Sequence, residues 1–232
     1  GWGSGSAYVF RLAGSVWSQE AKLKANDYSS SDEFGHSIAV DGNVIAVGAW
    51  GDDDAGWDAG AAYVFRFTNG IWSQDQKLLP TDGAAGDYFG SGVAIRGNNM
   101  LVGSPLCDAT GPASGAAYRF RWSGSTWSQQ QKLTAASNDP IYGFGYSVSI
   151  DVSAYLVGTP YDDDHGTESG CAQVFTILDS LFGDLNGDGV VDQFDMAILL
   201  GAWADHGGPA DLDEDGIVGA GDLALILGAW TS

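Results

Sequence analysis

The chain has 232 residues, of which 44% are hydrophobic, so it can bury one large or two small cores and is not a disordered chain. Its formal net charge of −21 repels phosphate groups, which excludes nucleic acids and anionic membrane surfaces as expected partners. No apolar run reaches the roughly 18 to 20 residues that span a bilayer, so no membrane insertion is expected, and secretion with a signal peptide outside the given chain remains open.

The first part of the chain repeats itself every 55 residues. Tyr8, Tyr63 and Tyr118 are spaced by this offset, which chance does not produce. The same offset relates further sets of tryptophan, lysine, phenylalanine and glycine residues: Trp17, Trp72 and Trp127; Lys22, Lys77 and Lys132; Phe34, Phe89 and Phe144; and Gly48, Gly103 and Gly158.

Within one period, turn residues separate four short strands, which we predict at 34–40, 43–49, 61–67 and 71–78. They form a four-stranded antiparallel meander. The first strand has one face of mostly bulky residues and one of mostly small residues, which suits sheets stacked face to face around an axis. The fold class is therefore mainly β, a partial β-propeller of four-stranded blades.

The Phe-Gly pairs at 34, 89 and 144 are each followed about a dozen residues later by Val-Gly. These motifs resemble FG-GAP repeats, the blade type of integrin α-subunit heads and many bacterial surface proteins. The resemblance covers about residues 1–178 and implies an extracellular or cell-surface protein. Integrin-type repeats carry a calcium loop between their first and second strands, but that connection is only four residues here, so no calcium site is expected there.

Acidic residues cluster instead after the second strand of two repeats. Asp52, Asp54 and Asp58 lie in one such loop, and Asp162 and Asp164 lie in the other. A solvated acidic turn and a weak calcium site both explain this composition. The two cysteines, Cys107 and Cys171, are expected either as isolated core thiols or as a disulfide.

Aligned by the period, residues 1–23 supply only a third and a fourth strand, and residues 144–178 supply a first, second and third. The total is about three and a quarter blades, fewer than the four to eight that close a propeller. We therefore expect an open arc that is completed either by other copies of the chain or by preceding blades. Completion by other copies would give a ring or a filament.

After a linker at 179–182, residues 183–232 form a different module, a duplication with an offset of 27 residues. Each copy begins with an Asp-Xaa-Asp/Asn-Xaa-Asp-Gly loop, in which alternate side chains point at one centre, and this pattern predicts two EF-hand-like Ca²⁺ sites followed by short helices. Trp203 and Trp230 are expected to pack in the core between those helices. The predicted ligands are Asp184, Asn186, Asp188, Val190, Asp192 and Asp195 in loop one, and Asp211, Asp213, Asp215, Ile217 and Asp222 in loop two.

A duplicated loop and helix with Asp at loop position twelve resembles the dockerin type I module. The resemblance implies calcium binding and docking onto a cohesin partner. The positions that contact cohesins in dockerins are often Ser-Thr, but here they are Gln193-Phe194 and Ala220-Gly221, and the helices carry no basic residue. Only the calcium sites are therefore carried over.

The chain has 3 histidines and no motif of a hydrolase, phosphate loop or activated thiol, so no enzyme is expected. The leading hypothesis is a non-enzymatic, calcium-binding, extracellular structural or adhesion protein that assembles through its propeller ends and its tail. Its partner would be a second copy or another surface protein. The alternative is a glycan-binding, lectin-like propeller that uses Trp50, Trp57 and Trp122, or a component tethered to a cohesin-like partner.

Overall fold

The computed structural model describes residues 2–135, 143–151, 154–163, 166–176, 183–185, 191–213 and 215–230. These residues fall into two compact units, within 1–175 and 176–232. The first unit is built of β-strands and the second contains two short helices, which agrees with the mainly β class predicted from the sequence.

The first unit contains four antiparallel sheets, which we name blades 1 to 4 in chain order. Blade 1 is β1 (Ala7–Ala13) and β2 (Val16–Leu23). Blade 2 is β3 (Ser37–Asp41), β4 (Val44–Ala49), β5 (Ala61–Thr68) and β6 (Ile71–Leu78). Blade 3 is β7 (Gly92–Arg96), β8 (Asn99–Ser104), β9 (Ala116–Trp122) and β10 (Trp127–Leu133). Blade 4, as far as the described residues go, is β11 (Ser147–Ile150), β12 (Ala154–Thr159) and β13 (Cys171–Thr176).

Blades 2 and 3 are four-stranded meanders in which each strand pairs with the next one along the chain, as predicted. Tight turns set their register. Between β5 and β6, Thr68 pairs with Ile71, and the two turn residues Asn69 and Gly70 have φ values of 54° and 81°. Positive φ at both positions is typical of the type I′ hairpin turn, whose twist matches that of the strands.

Glycines hold successive blades at a distance that no other residue would allow. A Cβ atom on Gly48 in β4 would lie 1.9 Å from the carbonyl oxygen of Gly90, and one on Gly103 in β8 would lie 1.8 Å from that of Gly145. The Phe-Gly turns of blades 3 and 4 therefore rest directly on the second strand of the blade before each of them. This contact explains why Val-Gly and Phe-Gly recur at a constant spacing.

A second backbone contact repeats at every blade junction. Gly60 forms a parallel bridge with Phe89, and Gly115 forms the equivalent bridge with Phe144. Both phenylalanine side chains are fully buried, and Phe89 packs edge-on against Tyr118 with ring centroids 5.5 Å apart. The junction thus combines main-chain pairing with a buried aromatic ring.

The bulky face of the first strand is buried in blade 3 but exposed in blade 2. Val93 and Ile95 of β7 are each only 8% exposed and belong to a cluster that includes Ala46 of blade 2. Their repeat equivalents in β3, Ile38 and Val40, are 65% and 67% exposed. The same face is therefore an interface in blade 3 and a free apolar surface in blade 2, within the described residues.

The second unit contains α1 (Gln193–Gly201) and α2 (Ala220–Gly228) around a small apolar core. Leu199 and Ile226, at equivalent positions of the two helices, are completely buried in it. The prediction that Trp203 and Trp230 pack in this core is wrong, because they are 45% and 41% exposed. Each lies four residues after a buried leucine or isoleucine, but beyond the end of its nine-residue helix. Neither helix is long enough or apolar enough to cross a membrane.

We expect Gly103→Ala to destabilise the first unit by about 3 kcal/mol, because its methyl group would collide with the backbone at Gly145 rather than with a mobile side chain. Thermal or denaturant unfolding measures this change. The control is Gly111→Ala, since a Cβ there meets nothing within 4 Å. Equal stability of the two variants would contradict the proposed role of the glycine contact.

Candidate functional site

The acidic loop of blade 2 contributes to a cluster of three carboxylates around one ammonium group. The Nζ atom of Lys77 in β6 lies 2.9 Å from an oxygen of Asp27, 2.8 Å from Asp52 and 2.5 Å from Asp54. Asp52 is buried, and only 16% of the Lys77 side chain is exposed. Ligand atoms of the three aspartates lie within 4.8 Å of one another, a spacing that a metal ion could also satisfy.

Tyr63 completes this cluster by donating hydrogen bonds from its hydroxyl group to Asp27 and Asp52. Burial and the bond to Asp52 raise the pKa of Tyr63 far above its ordinary value, so it remains a donor. Burial would lower the pKa of Lys77, but the bonds to Asp52, Asp54 and Asp27 raise it above its ordinary value. Lys77 is thus a tethered cation in a loop for which the sequence left both a solvated acidic turn and a weak calcium site open.

Asp58, the remaining predicted ligand in this loop, does not belong to that group of three. Its backbone N–H donates to a carboxylate oxygen of Asp53 at 2.7 Å, and its φ is 50°. This hydrogen bond between Asp53 and Asp58 links two positions of the loop to each other. In the loop of blade 4, Asp162 is buried and accepts from the Cys171 thiol at 3.2 Å, whereas Asp164 lies outside the described residues.

Blade 3 has a lysine at the equivalent position, but the side chains around this lysine differ from those around Lys77. Lys132 in β10 lies 2.6 Å from Asp82 and 3.3 Å from the sulfur of Cys107, which stands where the repeat has Asp52. The Cys107 sulfur is also 3.5 Å from the Tyr118 hydroxyl. Both cysteines are free, so the structure contains no disulfide between Cys107 and Cys171.

Asp27 and Lys77 were not expected from the sequence as members of the blade 2 cluster. They lie 50 positions apart and outside the Asp-rich loop. A signal was nevertheless present, because Asp82 and Lys132 recur at the same separation one period later. An acidic and a basic residue that repeat together are candidates for an ion pair between blades.

The second unit brings together three of the five ligands predicted for loop two. Ligand atoms of Asp211, Asp213 and Asp215 lie within 4.8 Å of one another. Backbone N–H groups of the loop donate to one oxygen of each carboxylate: Gly216 to Asp211 at 3.1 Å, Asp215 to Asp213 at 3.1 Å, and Ile217 to Asp215 at 2.9 Å. The other oxygen of Asp211, Oδ1, is buried and has no hydrogen-bond partner.

Asp222, at position twelve of loop two, ties the loop to the start of α2. Its carboxylate accepts N–H bonds from Asp213 at 3.1 Å and from Gly219 at 2.6 Å, and a third from Leu212. Burial would raise the pKa of Asp222, but these backbone donors hold it below its ordinary value. The group is therefore an anion at neutral pH.

Loop one shows the same arrangement in its described part. Asp195 accepts from the N–H groups of Leu185 at 2.7 Å and Asp192 at 2.9 Å, and Asp192 caps α1 by accepting from Phe194 at 2.7 Å. Asp184 lies directly before Leu185. The other predicted ligands of this loop fall outside the described residues: Asn186, Asp188 and Val190. Ile217, the carbonyl ligand predicted for loop two, is described and half-exposed.

The donor set of loop two fits Ca²⁺. It consists only of oxygen atoms, it includes three carboxylates that converge, and it leaves Asp211 Oδ1 buried without a proton donor. A hard divalent cation satisfies all of these features at once, whereas thiol or imidazole ligands for softer metals do not occur in this loop.

We expect Lys77→Met to destabilise the first unit by about 3 kcal/mol in chelator, because it leaves the anionic Asp27, Asp52 and Asp54 without their cation. Calcium should restore part of this loss in the variant and change nothing in this unit of the wild type. Lys24→Met is the control, since Lys24 lies over the ring of Tyr28 and touches no carboxylate among the described residues. A Lys77→Met protein as stable as wild type in chelator would contradict the tethered-cation interpretation.

Comparison with protein-family models finds the FG-GAP repeat three times, at residues 17–65, 72–120 and 127–175, which together cover more than half of the chain. Each match begins at the outer strand of one blade and ends in the third strand of the next, so each contains one Phe-Gly turn and one Val-Gly strand. A comparison with curated proteins finds no match. FG-GAP repeats occur in integrin-like adhesion proteins and other extracellular proteins. The three matches confirm the resemblance, and the chain belongs to the FG-GAP repeat family.

Proposed function

We propose that this protein is a non-enzymatic, extracellular structural or adhesion protein whose second unit is a dockerin-like module that binds Ca²⁺. The observation that carries the calcium proposal is the convergence of Asp211, Asp213 and Asp215 with a buried oxygen of Asp211 that has no hydrogen-bond partner. The membership of the first unit in the FG-GAP family supports the extracellular role.

The two units differ in the cations that their sequences offer to the acidic clusters. In the first unit Lys77 and Lys132 supply ammonium groups to the carboxylates around them. The sequence contains no Lys or Arg after Lys132, so the second unit has no lysine or arginine of its own to do this. Three carboxylates within a few ångströms repel one another strongly, and a divalent cation removes that repulsion. Folding of the second unit is therefore coupled to calcium.

We expect isothermal titration of the wild type with Ca²⁺ to report two sites, and Asp211→Asn to lose one of them, because it removes a charge and an oxygen ligand from loop two. At a calcium concentration one hundred times the Kd, a single site stabilises its unit by about 2.7 kcal/mol, a shift that unfolding with and without chelator measures.

The matched control is Asp205→Asn. Asp205 is exposed, lies between the two loops and belongs to neither predicted ligand set. It should keep both sites. Absence of calcium binding by the wild type, or two intact sites in Asp211→Asn, would contradict the calcium proposal.

The structural role rests on a face of the first unit that has the composition of a blade interface. Trp17, Ile38 and Val40 are 65%, 65% and 67% exposed. Val93 and Ile95, one period after Ile38 and Val40, are each 8% exposed, and the equivalents of Trp17 become partly buried at Trp72 and 3% exposed at Trp127. A large exposed apolar surface of this kind marks an interaction site. The equivalent faces that are buried between blades within the chain support another FG-GAP blade as the complement of this face, and we infer that a second copy of the chain supplies it.

Lys22 adds a charge to this face. Its repeat equivalents Lys77 and Lys132 bind carboxylates, one of which comes from the loop that follows the preceding blade. Lys22 instead lies over the ring of Tyr8, 5.2 Å from its centroid, and has no ion pair with a described carboxylate. A blade docked on this face can bring an acidic side chain to Lys22, which makes the contact specific as well as apolar.

Light scattering over a range of protein concentrations should therefore show particle mass that rises with concentration. Replacing both Ile38 and Val40 with Asp should abolish the rise, because burial of two unpaired carboxylates opposes docking. Ile71→Asp is the control, since Ile71 is 68% exposed on the outermost strand of blade 2. A wild type that stays monomeric at all concentrations would contradict self-assembly while leaving the calcium proposal untouched.

A further inference from the structure

Two tryptophans occupy the same exposed position on adjacent repeats. Trp2 and Trp57 are 55 residues apart, and they are 95% and 75% exposed. Trp50 and Trp122, the other residues suggested for glycan binding from the sequence, are packed instead. Trp50 lies 4.5 Å from the ring of Tyr88, and Trp122 is covered by the guanidinium group of Arg66 at 4.3 Å. Only Trp57 of that set is available, and the structure adds Trp2.

The main chain holds both tryptophans in equivalent places. The carbonyl oxygen of Trp2 accepts a hydrogen bond from Ser31 N at 2.9 Å, and that of Trp57 accepts one from Gly86 N at 2.8 Å. Ser31 and Gly86 are themselves one period apart and precede the first strands of blades 2 and 3. Each indole is thus anchored at its backbone to the following blade while its ring faces solvent, at the same edge of neighbouring blades.

The fold does not need tryptophan at this position. The equivalent residues in the next two loops are Pro112 and Thr167. The residues after them, Ala113 and Glu168, have φ values of 51° and 52°, against 50° for Asp58 after Trp57. The loops therefore share one conformation with or without the indole. A large apolar ring that is exposed, carried on an anchored main chain and dispensable for folding is best explained by ligand contact.

The second loop also carries hydrogen-bond acceptors near the ring. Asp53 accepts from Asp58 N with one carboxylate oxygen, and its side chain is exposed. Glu33 is exposed near the first loop, where its Oε1 lies 3.2 Å from the position that a Cβ on Gly3 would take. Carboxylates accept hydroxyl groups and repel other anions.

From this placement we propose that Trp2 and Trp57 form a binding platform for a neutral, hydroxyl-rich polysaccharide. The flat indole faces stack on the C–H faces of sugar rings along one polysaccharide chain, and the acidic side chains accept hydrogen bonds from the sugar hydroxyl groups. Two sites on neighbouring blades bind one long chain together, so the affinity for a polymer exceeds that for a single sugar. This activity is independent of calcium binding and of self-assembly.

The test is electrophoresis in native gels that contain a soluble polysaccharide: hydroxyethylcellulose, galactomannan or laminarin as neutral probes, and polygalacturonate as the anionic one. At least one neutral polymer should retard the wild type, equally in calcium and in chelator. Trp2→Thr and Trp57→Thr combined should raise the polymer concentration for half-retardation by about a hundredfold, which corresponds to tenfold for each tryptophan. Thr is chosen because Thr167 occupies the same loop conformation.

Trp203→Thr serves as the matched control, because Trp203 is also exposed but belongs to the second unit, and it should leave retardation unchanged. Equal unfolding temperatures of the first unit in the double variant and the wild type show that any loss concerns binding. No retardation by any neutral polymer, an unchanged double variant, or equally strong retardation by polygalacturonate would each overturn the proposal.

Discussion

The close approach of main chains between successive blades is the constraint on which the first unit depends. Gly48 and Gly103 place strand backbone directly against the Phe-Gly turn of the following blade, at separations where a methyl group would overlap a carbonyl oxygen. Because the contact is between backbones, it leaves little freedom in the angle or the distance between blades. The buried phenylalanine, the parallel bridge and the ion pair from one blade to the next occur at the same junctions.

The acidic clusters of the two units differ in whether a basic side chain lies beside them. This difference distinguishes an acidic cluster with a structural role from one that is a candidate ion-binding site. In the first unit, a lysine of the same fold supplies an ammonium group to the acidic cluster. In the second unit, Asp211, Asp213 and Asp215 converge without a lysine or arginine in their part of the sequence, and Asp211 Oδ1 is buried without a donor. An acidic cluster in a sequence therefore does not by itself indicate calcium; the distinction lies in whether the fold delivers an ammonium group to it.

The repeats also allow scaffold and function to be told apart within one molecule. A feature present in every copy, such as the glycine contact, is required by the architecture. A residue that varies between loops of the same conformation is not required by the architecture. Trp57 is an example, because the equivalent loops have Pro112 and Thr167. The same logic applies to the bulky face of the first strand, which is covered in blade 3 and open in blade 2. Internal comparison thus separates residues that every blade needs from exposed aromatic and apolar residues that the scaffold does not require.

The sequence by itself determined the period, the four-strand meander, the order of elements and the two Asp-rich helix–loop copies, because alternation, turn residues and repeat spacing are local properties of the chain. The tertiary structure decided the rest. Lys77 and Asp27, 50 residues apart, meet only when two blades stack. Trp203 and Trp230 are apolar residues at helix ends, and only packing around Leu199 and Ile226 showed that they lie outside the small core. Which tryptophan is exposed and which cation neutralises an acidic loop depend on neighbours distant in sequence, and no local pattern encodes them.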